Sequence, residues 1–380
     1  MARSTSWRSL VPGASLAVLS LLVYLETLSF GYIWDDQLLV ELDWAGALER
    51  AFNGLHVRPL WYLSYVVSQS LSPSPVFEHA VNLALFSLSV VLAHRVALGF
   101  LAPRAAWLVT VVWTLLPWNA YPVTWIAQRN DLLVFVFGFA SLLAGRQQRY
   151  RLAWLLLAAG LFSKITLIAV PLYFVWWAWR EGRERVAAAF LALFLGYLTL
   201  ALRGYLLYFE PGPHLAPASW ILQQLRFPAH WLEHLVLLVV PLPFFVGIGH
   251  AALYLFGLAG LGVSSRAVSK QESPTDPREA WILAGLASLA AVATPALRIC
   301  GFESLFWLIA IAQVRRWRFC VPAAVSLALI VAAYAISLQA TKPIFDSRIA
   351  RPASEGRPSL YPNEYYRLRR AWLRELAYPE

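Results

Sequence analysis

Apolar runs of about twenty residues recur along this chain between short polar stretches, and that is the length a helix needs to cross the hydrocarbon core of a bilayer. The apolar positions are near-continuous, unlike the one-sided stripes of helices in soluble proteins. The first run covers residues 10–30, behind Arg3 and Arg8. It is longer than a signal-peptide core and no small-residue cleavage site follows it, so the pattern predicts an uncleaved first span with a cytoplasmic N-terminus. Residues 31–75 then form a first outer loop. Within it Leu42, Leu48 and Phe52 recur at a loose helical spacing that suits a short helix lying along the interface. Further spans are predicted over 77–101, 105–117 and 132–144, with an outer loop over 118–130. The run 152–179 is broken by Ser163-Lys164, which predicts two short spans in a hairpin with Lys164 at its outer tip. A seventh span covers 186–208.

The second half is read from its arginines. Arg104, the group Arg146, Arg149 and Arg151, and the group Arg180, Arg183 and Arg185 mark inner loops, since basic residues concentrate on the cytoplasmic side. The stretch 220–241 carries Gln223, Gln224, Arg226, Pro228, His230, Glu233 and His234 ahead of an apolar end. Read as a span, it gives twelve spans and puts Arg315, Arg316 and Arg318 outside. Read as an outer or re-entrant helix, it keeps every basic cluster inside and leaves spans over 244–263, 281–297, 302–314 and 319–339. The second choice is preferred. The predicted fold is therefore an all-α polytopic membrane protein of about eleven transmembrane helices (11–12), over residues 1–340, with a short tail, 341–380, outside.

Composition sharpens the picture. The chain is 59% hydrophobic and 14% charged, so length here counts spans rather than soluble domains. Its 18 Trp and 16 Tyr suit interfacial belts. The net charge of +10 is mostly Arg in short loops, which implies topology and affinity for anionic membrane lipids, with no nucleic-acid partner. Arg and Ala usage points to a GC-rich bacterial genome, hence to the plasma (inner) membrane. Cys300 and Cys320 show neither ligand spacing nor a disulfide framework and read as two apolar thiols.

In so uncharged a chain, the polar residues at the outer face are the candidate chemistry. Asp35 and Asp36 follow the first span. A carboxylate there can take a proton from a hydroxyl, and a second can raise its pKa, orient an acceptor or bind a divalent ion such as Mg or Mn. The same dipeptide suits a helix N-cap, and neighbouring residues on a helix point apart. Arg58, Arg129, Lys164 and Arg203 are cations at or near that face, against the positive-inside pattern, and a lipid-linked phosphate would favour them there. Snorkelling to headgroups explains any one of them. His79 and Asn82, three residues apart, suit a shared hydrogen-bond network or ordinary polar packing between helices. His230, Glu233 and His234 match H-x-x-E-H, a zinc-binding spacing, but no third ligand is identifiable and a polar face lining an aqueous cavity is preferred. No nucleotide-binding loop and no Ser-His-Asp order appears.

Several stretches, taken in order, resemble the integral-membrane glycosyltransferases of the GT-C fold. Tyr32-Ile-Trp-Asp-Asp-Gln37 resembles their acidic pair in the first outer loop. His56-Val-Arg-Pro-Leu60 and Phe77-Glu-His-Ala-Val-Asn82 resemble y-R-P-L followed by f-H-x-x-N. Trp125-Ile-Ala-Gln-Arg-Asn-Asp-Leu-Leu133 resembles W-I-S-G-R-x-D-L-L, and Phe162-Ser-Lys164 with Pro171-Leu172 resembles S-K-E…l-P-L. The pattern is most similar to the transmembrane O-mannosyltransferases that carry tetratricopeptide repeats, over about the first 180 residues. The resemblance implies transfer of a sugar from a polyprenyl-phosphate carrier to a glycan, lipid or protein acceptor outside. It implies Asp35 as base with Asp36 beside it, and Arg58, Arg129 and Lys164 on the phosphate. Gln128 lies inside the matched stretch. The chain departs from the pattern at Tyr121, where the family has an acid, at Ile165 in place of the Glu of S-K-E, and in lacking the repeats. A relative that keeps the fold without turnover, as a carrier-lipid transporter or assembly subunit, is the alternative.

Overall fold

The computed structural model describes residues 11–32, 36, 39, 42–53, 57–116, 119–208, 277–289, 302, 304–306, 308 and 309. Among them every regular element is helical. The first is α1, Val11–Tyr24, extended by a 3₁₀ turn, Leu25–Ser29. Two helices of the first loop follow: α2, Trp44–Asn53, and α3, Pro59–Leu71. Then come α4, Pro75–Leu98; α5, Pro103–Thr114; the short α6, Ala120–Thr124; a 3₁₀ turn, Ile126–Gln128; and α7, Arg129–Arg146. Next are α8, Tyr150–Leu161, a 3₁₀ turn Ile165–Leu167, α9, Val170–Arg180, α10, Glu184–Tyr208, and α11, Pro277–Leu289.

Four stretches are long and apolar enough to cross a membrane: Val11–Ser29, Pro75–Leu98, Ile126–Arg146 and Glu184–Arg203. The described residues are compatible with a helical membrane protein. These four agree with the predicted first, second, fourth and seventh spans, and the break at Ser163-Lys164 falls where it was expected, between α8 and α9. Two boundaries differ. Helix α5 has 12 residues, about 18 Å of helix against a core of about 30 Å. The predicted loop over 118–130 instead contains α6, a 3₁₀ turn and the first turn of α7, so Arg129 begins a helix. The prolines at the starts of α3, α4 and α5 explain where those helices begin, because a residue at that position needs no N–H partner and φ is preset. The regions 209–276, 290–301 and 310–380, and with them His230, Glu233, His234, the two cysteines, the tail and most of the later predicted spans, lie outside the described residues.

The helices run up and down, and side-chain contacts identify the two ends. At one end the Tyr24 hydroxyl donates to Thr114 O at 3.1 Å, joining the ends of α1 and α5. At the other, Arg146 at the end of α7 donates to Gly99 O at 2.9 Å and to Glu279 Oε1 of α11 at 2.8 Å. The Arg146 guanidinium also lies 3.9 Å from the centre of the Phe100 ring. The Tyr173 hydroxyl of α9 donates to the same Glu279 oxygen. Between the ends, Trp113 is fully buried among Phe86, Phe135 and Phe139, and Phe302 stacks on Phe139 at 4.9 Å. Large apolar side chains also face outward: Val18, Leu22 and Leu25 on the first span, Leu191, Leu195 and Leu202 on α10. In lipid such exposure carries no hydrophobic penalty.

The short helix expected in the first loop is present as α2, and it is amphipathic with its small residues inward. Its buried residues are the small Ala47 and Ala51, whereas Trp44, Leu48 and Phe52 are exposed at four-residue spacing, so its bulky apolar stripe faces away from the protein.

Close helix approach depends on glycine at particular points. A Cβ on Gly145 would overlap the Phe174 ring of α9, and one on Gly138 would come within 2.5 Å of the Phe302 ring. Gly196 on α10 has open space around it. Gly145→Ala is expected to destabilise the protein by about 1–3 kcal/mol through overpacking. Gly196→Ala is expected to stabilise it by about 0.5–1 kcal/mol through helix propensity. Thermal unfolding of the purified protein in detergent reads both, and equal effects would contradict the packing described.

Candidate functional site

At the end where α1 and α5 stop and α4 and α7 begin, buried charges gather. Arg129, the first residue of α7, is completely buried. Its Nε donates to Asn82 Oδ1 at 2.8 Å. Nη1 donates to Ser64 O at 3.1 Å and to Ser68 Oγ at 2.8 Å. Nη2 donates to Glu78 O at 3.3 Å and to Glu78 Oε2 in an ion pair. A guanidinium has five N–H donors, and all five are used. The ring of Tyr65 lies 4.4 Å from the guanidinium carbon, so the charge is also faced by a π system. Glu78 is itself completely buried and accepts a further hydrogen bond from the Ser68 hydroxyl. This arrangement is what a buried charge requires: an opposite charge and every lone donor occupied.

Glu78 did not stand out in the sequence. It is an acid in the first turn of an apolar helix, where a carboxylate favours the positive end of the helix dipole and attracts no notice. One signal was available: a carboxylate directly before His79 in a span, where an ionisable group needs a named partner.

A second pair lies one half-turn further along. Lys164, in the break between α8 and α9, donates to both oxygens of Asp131 at 2.7 Å, and both side chains are nearly buried. Asp131 sits in the first turn of α7. The break is anchored from the other side by Leu60 N, which donates to Phe162 O at 3.3 Å. That bond brings the Arg58-Pro59-Leu60 segment against Ser163-Lys164. Arg58 is half-buried, its backbone N–H donates to Ala51 O at 3.1 Å, and its guanidinium lies 5.6 Å from the centre of the Trp61 ring.

Asp36 holds the first loop against this core. It is completely buried, and its Oδ1 accepts from Ala127 N at 2.6 Å. Ala127 lies in the 3₁₀ turn that leads into α7, so Asp36 caps the N-terminal end of a helix ninety residues away. Asp36 thus takes a capping position, but the helix it caps is not its sequence neighbour. The loop is tied down further. The Tyr65 hydroxyl donates to Ile126 O, Trp61 Nε1 to Ala127 O at 3.1 Å, and Gln69 Nε2 to Leu39 O at 2.9 Å. Burial raises the Tyr65 phenol above its ordinary value, with Arg129 opposing and Asp36 adding to the rise, so it stays a donor.

His79 and Asn82 do join the assembly. His79 Nε2 lies 3.4 Å from Gly31 O, and the Asn82 amide reaches Pro122 O, Trp125 O and Ile126 O at 3.3, 3.5 and 3.4 Å. Gln128 is buried beside Arg129. Tyr121 belongs to α6, and its side chain, like Asp35, lies outside what the structure describes. Arg203 is exposed on α10 and takes no part in the contacts above. Of the expected phosphate ligands, then, Arg129 is wholly engaged within the protein, Lys164 is paired with Asp131, and Arg58 lies at the margin. The described residues do not make a divalent-ion site: no group of three or more His, Cys, Asp or Glu side chains converges among them, and one Asp36 oxygen is held by a backbone N–H.

Comparison of the chain with protein-family models, with curated proteins and with solved structures finds no match in any of the three.

Arg129→Met should cost about 3–5 kcal/mol of stability, because it strands Glu78 as a buried, unpaired acid. Adding Glu78→Met to that variant should restore most of the loss. A thermal double-mutant cycle tests this, and additive losses would show that the two side chains are not coupled.

Proposed function

We propose that the chain is an integral-membrane glycosyltransferase that moves a sugar from a polyprenyl-phosphate carrier to an acceptor hydroxyl at the outer face of the plasma membrane. The observation that carries this reading is the convergence of its separate motif stretches. Asp36 meets Ala127, Glu78 and Asn82 meet Arg129, Leu60 meets Phe162, and Lys164 meets Asp131, all at one end of the bundle. The arginines at 146 and 180–185 lie toward the opposite end, which supports a cytoplasmic N-terminus and an outer site under the positive-inside rule. The proposed topology is the eleven-span one, with the tail outside.

In this reading Asp35 takes the proton of the acceptor hydroxyl as its oxygen attacks the anomeric carbon. The bond from that carbon to the phosphate oxygen breaks, and the electron pair leaves with the phosphate. Arg58 and Lys164 stabilise the charge that develops there, and the exposed Arg203 attracts the headgroup from further out. Arg129 works indirectly, by fixing the ends of α3, α4 and α7 against one another. Asp36 clamps the first loop to Ala127. The acceptor is a glycan, lipid or protein hydroxyl, and a mannosyl donor is the first to try.

A second reading is favoured by the same bonds. With Arg129 fully hydrogen-bonded and Asp36 used as a cap, much of the polar motif is spent on structure. That suits a protein that binds the carrier lipid without turning it over.

The two are separated by reconstituting the protein with labelled polyprenyl-phosphate sugars and following release of sugar from the lipid. Turnover abolished by Asp35→Asn, and a donor KM raised about ten- to a hundredfold by Arg58→Ala, are the expected outcomes. Undiminished transfer by Asp35→Asn would refute the assignment of the base, and saturable lipid binding with no transfer would favour the second reading.

A further inference from the structure

Among the buried polar atoms without protein partners at this end of the bundle, two lie beside the clamp between the first loop and the start of α7. Gln128, the residue between the clamped Ala127 and the saturated Arg129, is 5% exposed, and its Oε1 is buried with no hydrogen-bond donor. Tyr32 packs on the cluster formed by Trp125, Ile126 and Ala127, and its hydroxyl is likewise buried without a partner. Tyr32 lies within electrostatic reach of Glu78, Asp36 and Arg129, and burial raises its phenol above the ordinary value, so it keeps its proton. Buried polar atoms without partners are rare, because each forfeits its hydration for nothing. Two at the cluster around Ala127 call for a ligand or for ordered water.

The surroundings favour a particular ligand. Trp61 is half-buried against the same cluster, pinned by its bond to Ala127 O and flanked by Tyr62 at 4.5 Å between ring centres. An aromatic face, a carbonyl acceptor and a phenol donor match a ring with hydroxyls at its edge and C–H groups on its face. Arg129, the nearest charge in sequence, has no N–H left to offer such a ligand.

We infer that Tyr32 and Gln128 form a subsite for the sugar of the lipid-linked donor: Gln128 Oε1 accepts from one sugar hydroxyl, the Tyr32 hydroxyl bonds another, and Trp61 covers the ring. The inference rests on the glycosyltransferase reading and adds to it the residues that distinguish a glycosylated carrier from a bare one. Selectivity follows from geometry, since a sugar whose hydroxyl does not reach Gln128 leaves the carboxamide oxygen buried and unpaired.

The test is binding, which needs no acceptor. The full-length protein in lipid nanodiscs is titrated with polyprenyl phosphate, polyprenyl-phosphate mannose and polyprenyl-phosphate glucose. Wild type is expected to bind one glycosylated carrier more tightly than the bare one. Gln128→Met and Tyr32→Phe, which remove only the polar tip, should each reduce that preference about three- to tenfold while leaving affinity for bare polyprenyl phosphate unchanged. Neither should lower the unfolding temperature, because neither breaks a bond within the protein. Variants that retain the wild-type preference would overturn the subsite and leave ordered water as the partner of both groups. Equal weakening toward all three lipids, with a lower unfolding temperature, would overturn it in favour of a structural role. A wild type that binds all three alike, in a manner weakened by Arg58→Ala, would overturn the subsite and spare carrier binding. A wild type that binds none of them would remove the proposed function as well.

Discussion

A guanidinium buried out of reach of water must find a counter-charge and five acceptors, and that demand shapes the polar end of this protein. Arg129 joins three helices: it draws its acceptors from Ser64 and Ser68 of α3 in the first loop and from Glu78 and Asn82 at the start of α4, and itself opens α7. No one of these segments can be displaced without leaving a buried donor or acid unsatisfied. The cost of such a defect, about 3–5 kcal/mol for a stranded buried charge, is a large part of a domain's net stability. The loop therefore behaves as part of the bundle, although its sequence reads as a connection between spans.

The opposite end repeats the device with different parts. Arg146, Glu279 and Tyr173 join α7, α11 and α9, and the same arginine caps the turn at Gly99 and covers Phe100. Helix α7 is thus pinned at both ends by an arginine, with an aromatic cluster around Trp113 between them. Its glycines serve the same end: Gly138 and Gly145, two turns apart, let aromatic rings from elsewhere in the chain close onto it. A central helix with a saturated arginine at its start is a firm support for the first loop.

That architecture changes how the charged motif is understood. A cation at an outer membrane face suggests phosphate, but a cation whose every donor is occupied acts through position. The division of labour that follows has Arg129 and Asp36 as the frame and Lys164 and Arg58 at its margin. Gln128 and Tyr32 are among the groups that the frame leaves unpaired.

Continuous apolar runs and the placement of arginines were enough, by themselves, to point to a helical membrane protein, the extents of its first, second and seventh spans, the middle of its fourth, and the break at Ser163-Lys164. These follow from local physics: the thickness of a bilayer, the need to satisfy backbone groups within a helix, and the cost of a polar pair inside an apolar run. Order along the chain also singled out Asp36, Arg58, Asn82, Arg129 and Lys164. What each of them does was decided only in three dimensions. Nothing local pairs Arg129 with Glu78, or sends the Asp36 carboxylate to a helix end ninety residues away. The first turn of α7 was read as loop because it holds Arg129, Asn130 and Asp131, which look solvated until Glu78 and Lys164 neutralise two of them. Partner choice between distant charges is a property of packing, where burial makes each unpaired group costly and so selects the arrangement that leaves the fewest.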